Sequence, residues 1–273
     1  MSALITALEK NDVATLSMLL GPDSEDVVSS GDEVADANAH ADFVARFKTK
    51  HSLVPEGDST MNLVVGDNDW PLPIPIVLEK GKWYLDGAAG ADEIVYRRIG
   101  HNELGAIAVS RGFIDAQMEY VIEGHDGNEP GIFAAKLRSD PGQQNGLYWP
   151  TAEGEPQSPA GEAVARAAAE GYKAVTGKRK PYHGYYYRML FAQGANANGG
   201  AKEFFVDGML TDGVALLAWP ADYGASGVMS FMVDEEGVVY QKDLGEDTAA
   251  LAEAIQVFDP DGSWEIVDSE SDS

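Results

Sequence analysis

The sequence predicts an α+β protein in which a small helix-plus-hairpin N-terminal domain is followed by a long helix packed on an antiparallel, pilin-like sheet. Three observations lead there. Residues 181–244 hold much of the aromatic and β-branched content, cut at short intervals by Gly, Asp and Asn, which is how consecutive antiparallel strands read. Residues 92–122 read as one helix, with Leu104, Ile107, Ala108, Ile114, Met118 and Val121 forming an apolar stripe at spacings of three and four. Helical and strand-like runs are also segregated, without the repeated alternation of parallel-sheet folds. The expected division is a domain over 1–90, a second over 91–268, and an acidic tail over 269–273.

The elements can be justified in order. Leu4, Leu8, Leu16, Leu19 and Leu20 fall at helical spacing, interrupted at Asn11-Asp12, where Asp12 suits the N-cap of a second helix; Gly21-Pro22 stops it. Residues 36–50 read as a helix with Phe43, Val44 and Phe47 inward. Residues 59–65 alternate like a strand. Residues 72–78 and 82–85 are expected to form a hairpin, with Pro71, Pro73 and Pro75 arguing that its first strand lies at an edge or begins irregularly. The small-residue stretch 87–90 reads as a hinge. Gly100, Gly105 and Gly112 in the long helix each cost about 1 kcal/mol against Ala, so something is expected to pack close to them. Ser158-Pro159 reads as an N-cap and first turn of a helix through 169. Asp247 or Thr248 caps a last helix, and residues 264–267 close the chain's ordered part as a strand.

Composition limits the function. With 44% hydrophobic residues the 273-residue chain can bury a full core. Its 45 acidic against 19 basic residues give a net charge of −26, which repels nucleic acid and anionic membrane surfaces. A solvated acidic surface or a salty habitat accounts for such a balance. There is no cysteine, so disulfides, zinc–thiolate sites and thiol nucleophiles are excluded. No apolar run is long enough to span a bilayer. Met1-Ser2 leads directly into an amphipathic helix, an abrupt start that suits a chain from which a leader has been removed.

Two helices, a strand and a hairpin ending in GKWYLD (81–86) resemble half of the cone-shaped fold of nuclear-transport-factor-like and ketosteroid-isomerase-like domains; no site residue carries over. VVSSGD (27–32), DWPLPIP (69–75), GLYWP (146–150), PYHGYYYR (181–188) and the run AWPADYG…YQKDLG (218–245) together resemble, nearly end to end, the bacterial domain-of-unknown-function family 2950. That resemblance implies an exported bacterial protein, periplasmic or secreted, with no assigned activity and no catalytic residues. The order of long helix, loop and sheet is also similar to the soluble part of type IV pilins and type II pseudopilins, although a separate domain here takes the place of their hydrophobic anchor.

Asp126-Gly127-Asn128-Glu129 lacks the spacing of a calcium loop and reads as a turn, as do the stretches 234–237 and 259–262. Gly224-Ala225-Ser226-Gly227 precedes a strand, whereas a nucleophile elbow needs a following helix. Histidines 40, 51, 101, 125 and 183 share no metal-ligand spacing, and His183 reads as a packed residue beside the tyrosine strand. Glu103, Asp115 and Glu119 read as a solvated helix face. No catalytic, cofactor-binding or metal site is therefore assigned, and no cofactor is implied.

Tyr148, Trp149, Tyr186 and Arg188 have the composition of a binding hot spot and are the expected partner patch. One sheet face is expected on the long helix near Ile107 and Ile114; the other is left to loops such as 147–149, or open. The leading expectation is an exported protein acting by binding or assembly on a protein or cell-envelope partner. The alternative is a small-molecule binder or hydrolase with a pocket in the N-terminal domain, lined by Trp70, Trp83 and Tyr84. A filled domain interior favours the first, and a cavity with convergent polar groups the second.

Overall fold

The computed structural model describes residues 1–21, 24–152, 154–173 and 179–267. It opens with helices α1 (Ser2–Lys10), α2 (Val13–Leu20), α3 (Glu25–Val28) and α4 (Glu33–Thr49). Asp12 caps α2 by accepting the Thr15 amide, and Asp32 caps α4 by accepting the Val34 and Ala35 amides. Strands β1 (His51–Pro55), β2 (Thr60–Val65), β3 (Trp70–Pro71), β4 (Ile76–Glu79) and β5 (Lys82–Leu85) form one antiparallel sheet in the order β1-β2-β4-β5, with β3 also on β2. Strand β1 went unread in the sequence because it follows α4 almost without a break and is exposed along its whole length. The three prolines fall at or beside the short β3, and the hairpin proper is β4–β5, in register from Ile76 opposite Leu85.

The long helix α5 (Gly87–Glu123) starts earlier than its apolar stripe suggests. Residues 87–90 are its first turn, capped by Asp86, rather than a hinge. Here glycine serves close approach. A Cβ on Gly87 would lie 2.1 Å from the Leu20 carbonyl oxygen, and one on Gly90 would lie 2.5 Å from that of Pro73. By contrast Gly100 and Gly112 have nothing within 4 Å, and Gly105 meets only the His183 Cβ at 3.7 Å, so the expected close neighbours are absent there.

Beyond α5 come α6 (Gly161–Ala169), β6 (Tyr185–Leu190), β7 (Ala192–Gln193), β8 (Lys202–Glu203), β9 (Phe205–Val206), β10 (Met209–Leu210), β11 (Ala215–Pro220), β12 (Met229–Asp234), β13 (Tyr240–Asp243), α7 (Thr248–Ala254) and β14 (Glu265–Ile266). Ser158 does not cap α6: it is buried, and the helix begins beyond it at Gly161. Asp247 is the N-cap of α7 by position, though without a side-chain bond. The main sheet runs β14-β13-β12-β11-β6, antiparallel throughout, and the pairs β7–β8 and β9–β10 stand apart. The acidic tail lies outside the described residues.

Two apolar clusters result. One gathers Leu4, Leu16, Leu20, Leu63, Val65 and Ile74 beneath the first helices. The other joins Ile107, Phe113 and Ile114 of α5 to Tyr185, Leu217, Trp219 and Phe231 of the main sheet. The long helix touches both, through Ile94 and through its later turns. The sheet face opposite α5 is covered by α7, not by residues 147–149. Arg188 on β6 clamps α7 by donating to the Ala252 carbonyl (2.7 Å) and to the Ile255 carbonyl.

Candidate functional site

Helices α2, α4 and α5 do not close on one another. Between them and β3 lies an open apolar cavity of about 550 Å³, within the size range of small-molecule sites. Its walls are easily traced to sequence. Leu4 and Leu8 come from α1, Leu16 and Leu20 from α2, and Val27 and Val28 from α3. Ala35, Ala39 and Phe43 recur on one face of α4, and Trp70, Leu72 and Ile74 come from β3 and the proline-rich segment after it. Phe43 meets Trp70 edge-on at 6.3 Å, a favourable ring geometry. Helix α5 contributes Ile94, Arg98, His101 and Asn102, again one face at spacings of three and four.

That face of α5 is graded. Ile94 is apolar, and about 10 Å further along the axis, at 1.5 Å per residue, stand His101 and Asn102. The polar end is completed by Ser30, Asp36 and His40, and by Tyr172 and His183 from the far part of the chain. Asp36 accepts the Ser30 amide (3.0 Å) and hydroxyl (2.7 Å). Burial pushes the His40 imidazole below its ordinary value; Asp36 opposes this and Arg98 adds to it. Burial likewise lowers Arg98, against Asp36, Asp26 and Asp222. The Arg98 guanidinium donates to the carbonyls of Asp26 and Val27 (2.7 Å for the latter), and no carboxylate oxygen lies within 4 Å of it among the described residues.

Asp32 joins this end of the cavity to the main sheet. Its carboxylate is buried and accepts four donors: the Val34 and Ala35 amides, the Tyr172 hydroxyl (2.9 Å) and the Gly184 amide (3.0 Å). Burial raises the Tyr172 hydroxyl well above the ordinary tyrosine range, so it stays protonated and donates. His183 contacts Glu170 through Nε2 at 2.9 Å. Its backbone adopts φ of 50°, unusual for a residue other than glycine. Gly184 follows with φ of 74°, and a Cβ there would strike the Asn102 side chain at 2.4 Å.

Three of the five histidines thus meet at one cavity, from α4, α5 and the approach to β6, although nothing in their spacing indicates it. No group of three or more metal-ligating side chains is close enough to hold an ion among the described residues. Trp70 lines the cavity as expected. Trp83 and Tyr84 do not; they stand 43% and 44% exposed on β5. Asp115 and Glu119 are solvated, whereas Glu103 accepts the amides of Val228 and Met229 and so anchors β12 to α5. Ser226 is buried with its hydroxyl bonded to Asp222.

The four residues of the expected partner patch are each half-buried and fall in two settings. Tyr148 lies under the Arg138 guanidinium and Trp149 packs near His125, just past the end of α5. Tyr186 packs on Trp219, and Arg188 shares that ring while holding α7. The first pair belongs to the α5 end of the molecule and the second to the α7 face of the sheet. No helix among the described residues is long and apolar enough to cross a membrane.

No curated protein and no solved structure matches the chain, so its likeness to pilin domains and to cone-shaped folds rests on sequence order alone. Residues 1–267 of the 273 match a single family along their whole length, and the chain belongs to that family, described as "Protein of unknown function (DUF2950)".

Proposed function

We propose that this protein acts by binding rather than by catalysis, and that it holds a small molecule with an extended apolar body in the cavity between α2, α4 and α5. The single observation behind this reading is the cavity itself: open, walled by aliphatic and aromatic side chains, and polar at one end. A filled interior would have favoured assembly through an outer surface instead. At the rim His183 pairs with Glu170, which lies behind it and outside the lining. The location we assign to this role is periplasmic or secreted, on the strength of what the sequence resemblance implies; finding the protein only in the cytosol of fractionated source cells would overturn that part.

The cavity is tested with N-phenyl-1-naphthylamine, a neutral apolar fluorophore. Wild-type protein should enhance its emission saturably with one site. Ala39→Trp, which fills the cavity from the exposed side of α4, should weaken binding at least tenfold with unchanged circular dichroism. Equal binding by the variant, or no saturable binding by the wild type, would refute the reading.

A further inference from the structure

We propose that the occupant of this cavity is an amphipathic organic anion, carrying one carboxylate-like head on an extended apolar body; this rests on the binding role argued above and names its ligand class. Three observations carry it. First, the cavity departs from the charge of the molecule around it. The chain has 45 acidic and 19 basic residues, yet the lining holds Arg97, Arg98 and three histidines against only Asp36 and Asp42. Second, both of those carboxylates are already engaged. Asp36 is taken up by the Ser30 amide and hydroxyl, and Asp42 pairs with Arg46 at 2.8 Å. Arg97 is likewise matched by Glu93 at 2.6 Å. Arg98 differs: among the described residues its close partners are neutral carbonyls, and Asp26, Asp36 and Asp222 act on it only from beyond ion-pair distance. A partly buried cation without an adjacent carboxylate is the group an incoming anion would neutralise, and desolvation strengthens that attraction.

Third, Arg98 stands at one end of the cavity together with two of the histidines. Arg98 and His101 are one turn apart on the same face of α5, and His40 is close enough to Arg98 to have its own ionisation altered by it. The opposite end, around Leu16, Phe43, Trp70 and Ile94, is apolar apart from Arg97, which lies 5.4 Å over the Trp70 ring and is already paired with Glu93. The orientation of the ligand follows: tail between α2, α4 and β3, head toward Arg98, His40 and His101. A cationic head would face Arg98 directly, and a neutral hydroxyl would leave its charge unmatched. His101 is exposed and has no bonded partner among the described residues, so it can be altered without breaking the fold.

The test uses three probes sharing a twelve-carbon tail, dodecanoate, dodecanol and dodecylamine, each titrated calorimetrically below its micellar concentration. Dodecanoate should bind at least tenfold more tightly than the other two. His101→Glu, which places a like charge beside the head, should weaken dodecanoate at least fivefold and leave dodecanol unchanged; dodecanol also reports that the variant's cavity is intact. Dodecanol or dodecylamine binding as tightly as dodecanoate would overturn the anion proposal while leaving the cavity's binding role standing. Equal weakening of dodecanoate and dodecanol by His101→Glu would overturn it too. Failure of all three probes to bind would overturn both.

Discussion

Asp234, at the end of β12, offers a direct test of how this acidic protein handles a buried carboxyl. It sits opposite Ala215 in the sheet and is only 6% exposed. Burial, reinforced by the neighbouring Glu235 charge, raises it from the ordinary 3.8 to about 6, against the opposing pull of the Glu236 amide bonded to its Oδ1 at 3.1 Å. The fold therefore favours the neutral acid. Its contribution to stability is complete below about pH 3.8, declines as pH rises, and is lost above about pH 6. At 1.36 kcal/mol per pH unit, the folded state gives up about 3 kcal/mol by neutral pH. Asp234→Asn keeps the Oδ1 acceptor and removes the charge. Urea melts at intervals from pH 4 to pH 8 should show the variant gaining about 2–3 kcal/mol relative to wild type, with the change concentrated between pH 4 and 6. The rest of the −26 charge titrates equally in both proteins and cancels in the difference. A difference constant to within about 0.5 kcal/mol across that range would refute the assignment, because linkage then requires that the carboxyl have the same proton affinity folded and unfolded.

Two further outcomes follow from contacts in the fold. Gly112→Ala should stabilise the protein by about 0.5–1 kcal/mol, because the site is an open helix interior, whereas Gly87→Ala should cost more than that gain, since its Cβ meets the Leu20 backbone oxygen; thermal melts showing both variants shifted the same way would contradict the packing of α5 on α2. Asp32→Ala should cost about 2–4 kcal/mol in urea melts, because it strips an N-cap and leaves the Tyr172 hydroxyl and Gly184 amide without their acceptor; a loss under 1 kcal/mol would mean that those donors find another partner.

The parts of the fold legible in the sequence are those set by local rules. Asp12 before an apolar run, the three-and-four spacing in 104–121, and the aromatic strands broken by glycine each specify an element from neighbours in sequence, and each element forms, although Leu104 and Ala108 of the expected stripe are exposed and the buried face of the helix runs through Ala106, Ile107, Phe113 and Ile114. Misreadings arise where a residue answers to something distant. The stretch 87–90 looks like a linker by composition, but its glycines are small because α2 and the proline segment press on the first turn of α5. Ser158 has the chemistry of a cap, yet burial takes it into the interior and the helix starts later. Asp32 is given no structural role by its sequence neighbours, and its partners Tyr172 and Gly184 are more than a hundred residues away.

The same distinction explains why a histidine-bearing cavity escaped a search by motif. Catalytic and metal motifs are short because one helix or turn supplies most of the ligands, and spacing along the chain then stands in for distance in space. Here the lining comes from the segments α1 to α5 and from Tyr172 and His183 beyond α6, and no single element contributes more than one face. Each face taken alone is an ordinary amphipathic pattern. The Ala35, Ala39 and Phe43 face of α4 looks like a helix with a weak core contact, which is what an open cavity leaves it. Only the folded chain carries a sign of it: α4 runs seventeen residues with Val44 alone fully buried, too little apolar burial to hold a helix of that length against a filled core. A helix so under-packed on its inner face, beside another whose inner face turns from Ile94 to Arg98 and His101, marks space between them that the chain does not itself fill.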